Sequence, residues 1–411
     1  MMNSIKCRFC ETPLKYSVVD LGVSPLANSY LKAEQLQQME PFYPLHVYIC
    51  DECFLVQLPE MQSSEKIFSD YAYFSSYSET WLAHAKAYTK LMMKRFGFNA
   101  NSQIIEIASN DGYLLQYFKE QGVPALGIEP AKNIAKVAQE AGIPTIVTFF
   151  GTQSAMKLAD EGKHADLLIG NNVLAHVPNL NDFVEGMKIL LQPQGIITME
   201  FPHLLRLIDN NQFDTIYHEH FSYFSFITTQ KIFQKHGLTI FDVEELSTHG
   251  GSLRIYVCNT EDKSKPITEH VVELTSREIN AGFTNLEYYL SFSDKVKEIK
   301  CNIVDYLIKV KREKKSIAGY GAAAKGNTLL NYCGIRKDFI DFTVDRSPHK
   351  QELYLPGTHI QICHPDKIKE TKPDYLLIFA WNLKEEIMEQ MSYIREWNGK
   401  FIVPIPGVKV Y

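Results

Sequence analysis

Over 103–200, short β-branched runs alternate with stretches of helical character, and this alternation constrains the fold more than any other feature of the chain. The runs are Ile104–Ile107, Ala125–Ile128, 145–150, 166–170 and 196–200. Residues 108–112 read as a turn, 113–118 as the opening of a helix, and 191–195 as a turn into the last run. Strand, crossover helix and strand in repetition predict a mostly parallel α/β sheet with helices on both faces. Ligands in such sheets sit at the carboxyl ends of the strands, near the point where strand order reverses.

The rest of the chain has to be placed around that sheet. Its 411 residues allow two or three domains, each with a core of its own, and no internal repeat stands out. Hydrophobic residues make up 45% and charged residues 22%, which excludes a mostly disordered chain. Acidic residues outnumber basic ones, 48 to 42, so the balance argues against a nucleic-acid binder that works by counterion release. No apolar run approaches the ~20 residues needed to span a bilayer. The N-terminal ten residues carry no apolar signal region, so the expectation is a cytoplasmic protein without a membrane partner.

Eight cysteines in such a chain read as thiols or metal ligands rather than disulfides. Cys7-x-x-Cys10 and Cys50-x-x-Cys53 are two knuckles separated by 39 residues. Each can chelate one side of a tetrahedral metal, and zinc is the usual occupant. Four thiolates close the coordination shell, so the zinc is structural, stabilising a module too small to bury much apolar surface. Cys258, Cys301, Cys333 and Cys363 show no ligand spacing and are expected to be free core thiols.

Glu106 lies in the first strand, and Glu129 ends the second, 23 residues later. An acid at that second position suits a bidentate bond to the ribose hydroxyls of an adenosine ligand. The turn before it holds one glycine, Gly112, where a dinucleotide fingerprint wants three, so a pyrophosphate fits poorly. S-adenosylmethionine, which has no phosphate, needs less of an anion cradle.

Glu106-Ile-Ala-Ser-Asn-Asp-Gly112 resembles the first motif of S-adenosylmethionine-dependent methyltransferases. Taken with the cysteine module, Asn172-Val-Leu-Ala-His-Val-Pro178, Tyr217-His-Glu-His220, His249-Gly-Gly251 and Gly319-Tyr-Gly-Ala-Ala-Ala-Lys325, the chain resembles the nucleotide-sugar C-methyltransferases that make 3-C-methyl deoxysugars. The resemblance covers essentially the whole chain. It implies a zinc module over 1–70, a Rossmann-like class I methyltransferase core over 71–262 and a smaller Rossmann-like α/β domain for the nucleotide sugar over 263–411. It also implies a cofactor site formed by Glu106, Ala108, Asn110, Gly112, Glu129, Phe149, Asn171 and Asn172. Ala108 replaces the glycine usual in the family, Thr148 stands where an acid is expected near the adenine, and His218 fills a variable position.

A methyl donor needs a carbon nucleophile, and a sugar C–H becomes acidic only beside a carbonyl. The implied substrate is therefore a 4-keto-6-deoxy sugar on thymidine or guanosine diphosphate, deprotonated at C3. A neutral histidine suits that abstraction, and the enolate needs a donor or a positive field. By resemblance His220 is the base, and Tyr217 and His176 position or polarise the ketone. Glu219 holds a hydroxyl or orients a ring, and Tyr71, in the aromatic stretch 70–77, lines the same pocket. From composition alone, residues 217–220 would equally be a solvated polar turn, His176 a core histidine, and 70–77 a linker packed by its aromatics.

After Cys258 a polar stretch, 259–266, reads as a linker. Phe292, Val296, Ile299, Ile303, Tyr306, Leu307 and Val310 then recur at helical spacing, and the basic run 309–315 reads as that helix's solvated C-terminal end. Residues 316–326 predict strand, small-residue turn and helix, with Gly319 and Gly321 permitting close backbone approach and Lys325 adding a cation. Further runs at 340–344 and 375–379 complete a second sheet. Lys325 and Lys350 are expected on the diphosphate, with His249, Trp381 and Asn382 lining the cleft. A nicotinamide-dependent oxidoreductase using this glycine-rich turn is the alternative, with Asp345, 24 residues beyond Gly321, as its acid. A non-catalytic zinc module fused to a vestigial methyltransferase is the third reading, opposed by the density of groups at 217–220. The chain is expected to be a monomer or a weak homo-oligomer.

Overall fold

The computed structural model describes residues 5–68 and 74–411, so Tyr71 lies outside the described residues. A seven-stranded sheet runs in the order Leu238–Leu246, Ser252–Asn259, Leu191–Pro202, Ala165–Asn171, Ile104–Ile107, Ala125–Ile128, Thr145–Ile146. Its five latter strands are parallel, and Ser252–Asn259 lies antiparallel to both of its neighbours. Strand order reverses between Ile104–Ile107 and Ala165–Asn171, which puts the ligand crevice at the ends of those two strands. The turn expected at 191–195 is a bulged strand start: Ala165 faces Leu191, but Leu167 faces Ile196. The run at 145–150 yields only Thr145–Ile146 as strand.

The C-terminal sheet has the order Ile362–Cys363, Thr343–Val344, Ile317–Tyr320, Tyr375–Ile378, Lys400–Val403, Lys409–Val410, parallel except at its last strand. The predicted amphipathic helix is Phe292–Arg312, and Phe292, Val296, Ile299, Ile303, Leu307 and Val310 are all buried. That face does not serve the C-terminal sheet alone. It shares one core with Val18, Leu21 and Val47 of the N-terminal strands Tyr16–Ser24 and Tyr43–Ile49. Beyond the polar stretch, the helix Glu269–Ala281 packs back on the seven-stranded sheet through Val271 and Leu274. No helix among the described residues is long and apolar enough to cross a membrane. Cys258 and Cys333 are buried thiols as expected, but Cys301 is exposed and Cys363 half-buried. Cys301 falls among the polar positions of its helix, on the side away from the core stripe.

The four knuckle cysteines converge. Their sulfurs all lie within 4.8 Å of one another, with Cys7 and Cys53 at 3.6 Å and Cys10 and Cys50 at 3.4 Å. A tetrahedral zinc with Zn–S near ~2.3 Å has a sulfur–sulfur edge of about 3.8 Å, so the donor set fits. The second knuckle leads directly into the strand Val56–Gln57, which pairs antiparallel with Ser222–Tyr223. Gln57 Nε2 donates to Cys7 Sγ at 3.2 Å, and Gln57 Oε1 accepts from the Arg8 amide at 2.9 Å. Leu58 N donates to Phe221 O at 2.9 Å, so the metal module ends as a strand laid beside residues 221–223.

A second buried anchor lies on the far side of that segment. Glu278 is fully buried, and its Oε1 lies 2.7 Å from His203 Nε2. The same carboxylate accepts from Phe226 N at 2.7 Å and Ile227 N at 2.8 Å, satisfying the first turn of the helix Phe226–Lys235. Glu278→Ala should therefore destabilise the protein by roughly 3–5 kcal/mol, since it strands two amides and a buried imidazole; urea unfolding followed by circular dichroism checks this. Metal removal by a strong chelator should release zinc and lower the thermal midpoint by several degrees, and an unshifted midpoint would exclude a structural role for the metal.

Candidate active site

The first parallel strand delivers a tight turn. Ala108, Asn110 and Gly112 take positive φ values of 54°, 51° and 81°. At Gly112 a Cβ would stand 2.9 Å from Ile143 Cγ1, so no side chain fits there. Glu129 clamps this turn to the end of its own strand: Oε2 accepts from Asn110 N and Oε1 from Ala131 N, both at 2.9 Å. Each oxygen keeps a further lone pair for a ligand hydroxyl. Burial raises the Glu129 carboxyl, with the two amides opposing. Ser75 N donates to Asn110 Oδ1 at 2.9 Å and Ser76 N to Asp111 Oδ2 at 3.0 Å, so the C-terminal end of the aromatic stretch straps the turn.

Buried polar atoms without protein partners mark the ligand volume. Both carboxylate oxygens of Glu106, both side-chain polar atoms of Asn171, Ser109 Oγ and Asp111 Oδ1 lack a hydrogen-bond partner among the described residues. Such groups are costly unless a ligand satisfies them. Glu106 is held well above the usual carboxylate range by burial, with the nearby Tyr113 opposing and Asp111 and Glu129 adding to the rise. A ligand bearing an ammonium and two vicinal hydroxyls, as S-adenosylmethionine does, matches these orphaned acceptors. Phe149 is 40% exposed, with Thr148 half-buried beside it.

Residues 217–220 are not a solvated turn. His218, Glu219 and His220 are buried, and Tyr217 is half-buried. Phe221 N donates to Ala175 O at 2.7 Å, which brings His176 against the motif. The His220 ring lies 4.0 Å from that of Tyr217 and 4.7 Å from that of His176. His220 Nδ1 is 2.8 Å from Thr215 O, so Nδ1 carries the proton and Nε2 the lone pair. Burial, reinforced by His176, holds His220 well below the ordinary imidazole value. His176 is pushed down to about 4 by burial, and its Nδ1 is buried without a partner among the described residues. Glu219 Oε1 accepts from Asn28 Nδ2 at 2.6 Å. His218 turns the other way, with Nε2 3.2 Å from Pro44 O and its ring edge-on to Tyr43.

The third wall joins the two α/β units. His249, at φ 55°, accepts at Nε2 from Asn172 Nδ2 at 3.2 Å. Burial pushes His249 down to about 4, with Lys325 adding to the shift. Lys325 Nζ donates to His249 O at 3.2 Å and Asn382 Oδ1 at 3.4 Å, and stands 4.6 Å from the Trp381 ring. Trp381 is buried over Gly250, and its indole N–H donates to Asp214 Oδ2 at 2.6 Å. Lys350 lies apart from Lys325, donating to Ala322 O at 2.9 Å above the Tyr30 ring. Asp345 does close the second strand of this sheet. It accepts from Ala322 N at 2.7 Å and Ser347 N at 2.8 Å, repeating the clamp that Glu129 makes.

Several of these residues carried no signal in the sequence. Asn28 and Tyr30 lie in a loop of the N-terminal sheet region, Trp81 and His84 on the helix Glu79–Phe96. Trp81 stacks on His84 and Tyr113 and meets His249 edge-on, and His84 Nε2 lies 2.8 Å from Glu200 Oε2. Asp214 sat within the dense segment, but nothing in its spacing distinguished it.

Three family models match the chain. A zinc binding domain covers 7–68, a methyltransferase domain 81–243 and a C-methyltransferase C-terminal domain 247–406. C-methyltransferase NovU of Streptomyces niveus is 34% identical over 405 residues, covering 98% of this chain and 96% of that protein. A ubiquinone biosynthesis O-methyltransferase of Bartonella tribocorum is 28% identical over 98 residues, 24% of this chain and 40% of that protein. Among solved structures, PH0226 of Pyrococcus horikoshii aligns with 48% of this chain and 99% of its own at 16% identity and a TM-score of 0.38. With its crevice, its cysteine cluster and a relative matched from end to end, the chain belongs to the S-adenosylmethionine-dependent C-methyltransferases that carry an N-terminal zinc-binding domain.

Proposed function

We propose that the enzyme methylates C3 of a 4-keto-6-deoxy sugar carried on a nucleoside diphosphate, in the cleft between the two α/β units. The observation that carries this reading is the His220 ring, fixed through Nδ1 by the Thr215 carbonyl and kept neutral by burial. Its Nε2 takes the C3 proton, and the C–H electron pair moves into C3–C4 as the ketone becomes an enolate. When bound, S-adenosylmethionine supplies an electrophilic methyl that the C3 carbon accepts, leaving as the thioether. Glu106, Ala108, Asn110, Gly112, Glu129, Phe149, Asn171 and Asn172 would hold it. Tyr217 and His176 flank the base and orient the ketone, and Tyr71 is assigned to the same pocket by resemblance. Glu219, braced by Asn28, holds a sugar hydroxyl, and Lys350, beside the turn at Ala322, meets the diphosphate. His249, Trp381 and Asn382 shape the wall between the two ligands. Domain limits near 70 and 262 follow from this division, with a cytoplasmic enzyme acting on either thymidine- or guanosine-linked sugars.

In deuterated water without the methyl donor, the 4-keto substrate should exchange its C3 proton, and His220→Asn should slow that exchange by about 10²-fold or more. Undiminished exchange in the variant would remove His220 from the role of base. A depressed pKa leaves Nε2 unprotonated through neutrality, so exchange should fall only as pH drops below the free-imidazole value of about 6.5. A pH–rate profile of exchange checks this. Mass spectrometry across thymidine- and guanosine-linked 4-keto sugars, reading the gain of one methyl, identifies the nucleotide.

A further inference from the structure

Lys325 comes from the C-terminal glycine-rich turn, yet its ammonium is directed away from that turn's backbone. Both of its hydrogen-bond acceptors are neutral, the His249 carbonyl and the Asn382 amide oxygen. An ammonium has three protons, so one is left for a ligand. Burial lowers the Lys325 ammonium from its ordinary value, and Asp214 opposes that shift without an ion-pair contact among the described residues. Trp381 lies between them, under the Lys325 ammonium at 4.6 Å and bonded to Asp214 Oδ2 through its indole N–H. Asp214 Oδ1 is buried and also lacks a partner among the described residues.

Position gives this cation its meaning. Through His249 it touches the donor side, because the His249 ring bonds to Asn172 at the end of the strand that carries Asn171. Through Trp381 and Asp214 it touches the base side, because Thr215, next to Asp214, holds His220. A point between the methyl donor and the base is where the reacting ketone has to lie.

Resting on the reaction proposed above, we infer that Lys325 is a further catalytic residue, an electrostatic stabiliser of the C4 enolate oxygen rather than a diphosphate ligand, with Asp214 and Trp381 as its positioning residues. When the C3–H bond breaks and its proton passes to His220 Nε2, the electron pair ends on the C4 oxygen. The free Lys325 proton then donates to that oxygen, and no proton need be transferred from the lysine. When C3 gains its methyl, the pair returns to re-form the C4 carbonyl, and the lysine stays protonated throughout. A buried, preorganised cation of this kind is worth most where water is excluded. Trp381 holds the ammonium by its π face, and that attraction strengthens when desolvated.

Lys325→Met, which keeps the apolar stem under Trp381, separates this role from phosphate binding. It should lower both kcat and the donor-free C3 exchange rate by about 10²–10³-fold. The KM for the nucleotide sugar and the affinity for S-adenosylmethionine should change little. Lys325→Arg, which keeps the charge, should recover part of the loss, and Lys325→Gln serves as the neutral variant should Met not fold. His220 is faced by His176, Tyr217 and Tyr223, and through space by Lys325 and His249. Removing the lysine charge should therefore move the acid limb of the exchange profile to higher pH, a shift that a packing role would not produce. A raised KM with kcat and exchange unchanged would overturn the inference and return Lys325 to the diphosphate. Exchange in the wild type that persists undiminished in Lys325→Met would overturn it while leaving the reaction intact, and no exchange in the wild type would overturn both.

Discussion

Desolvated polar groups at the carboxyl ends of the parallel strands are the constraint around which this molecule is arranged. Glu106, Asn171, Ser109 and Asp111 present buried oxygens and nitrogens that no other described residue satisfies. Each such atom costs on the order of 1–3 kcal/mol, and three large apolar clusters offset that cost. Where the ends of the same strands can be satisfied internally, they are. Glu129 spends one lone pair of each oxygen on the turn it faces, and Glu200 is bound by His84 and by Arg254 at 2.6 Å. The contrast separates groups that hold the protein together from groups left open among the described residues.

His220 is positioned by elements distant in the chain. Residues 221–223 run between the strand that leaves the second zinc knuckle and the carbonyl of Ala175, and Glu278 fixes the helix that follows. Metal module, strand and buried carboxylate thus act on the same few residues from different sides. The N-terminal sheet is no appendage. It shares its core with the helix Phe292–Arg312, so the first and last parts of the chain grip the methyltransferase unit together.

Electrostatically the cleft is a place where histidines are neutral. His176 and His249 are pushed down to about 4, and His220 well below the ordinary value, in each case chiefly by burial. Asp214 is pushed up to about 6 by the same loss of water, against the pull of Lys325 and the Trp381 N–H. In the reaction proposed above, neutral imidazoles beside the Lys325 ammonium suit proton removal next to a carbonyl, because the base stays free and the cation's field stabilises the developing negative charge.

Much of this was legible in the chain itself. The parallel sheet followed from hydrophobic periodicity, the metal site from paired C-x-x-C knuckles, and the helix Phe292–Arg312 from one apolar stripe; each is a local pattern, and local patterns survive in one dimension. Glu106 and Glu129 were readable because strand ends are fixed by the same periodicity. What depended on tertiary structure were contacts between segments far apart in sequence: Asn28 on Glu219, Trp381 on Asp214, Lys325 on the carbonyl of His249, and a zinc knuckle's strand beside residues 221–223. Composition read 217–220 as equally a solvated turn because His and Glu are ordinary surface residues, and Cys301 as core because nothing in a cysteine says which side of a helix it takes. Burial and long-range hydrogen bonding are properties of the packed chain, since they depend on which surfaces meet, and that is decided only when the two sheets and the N-terminal strands close on one another.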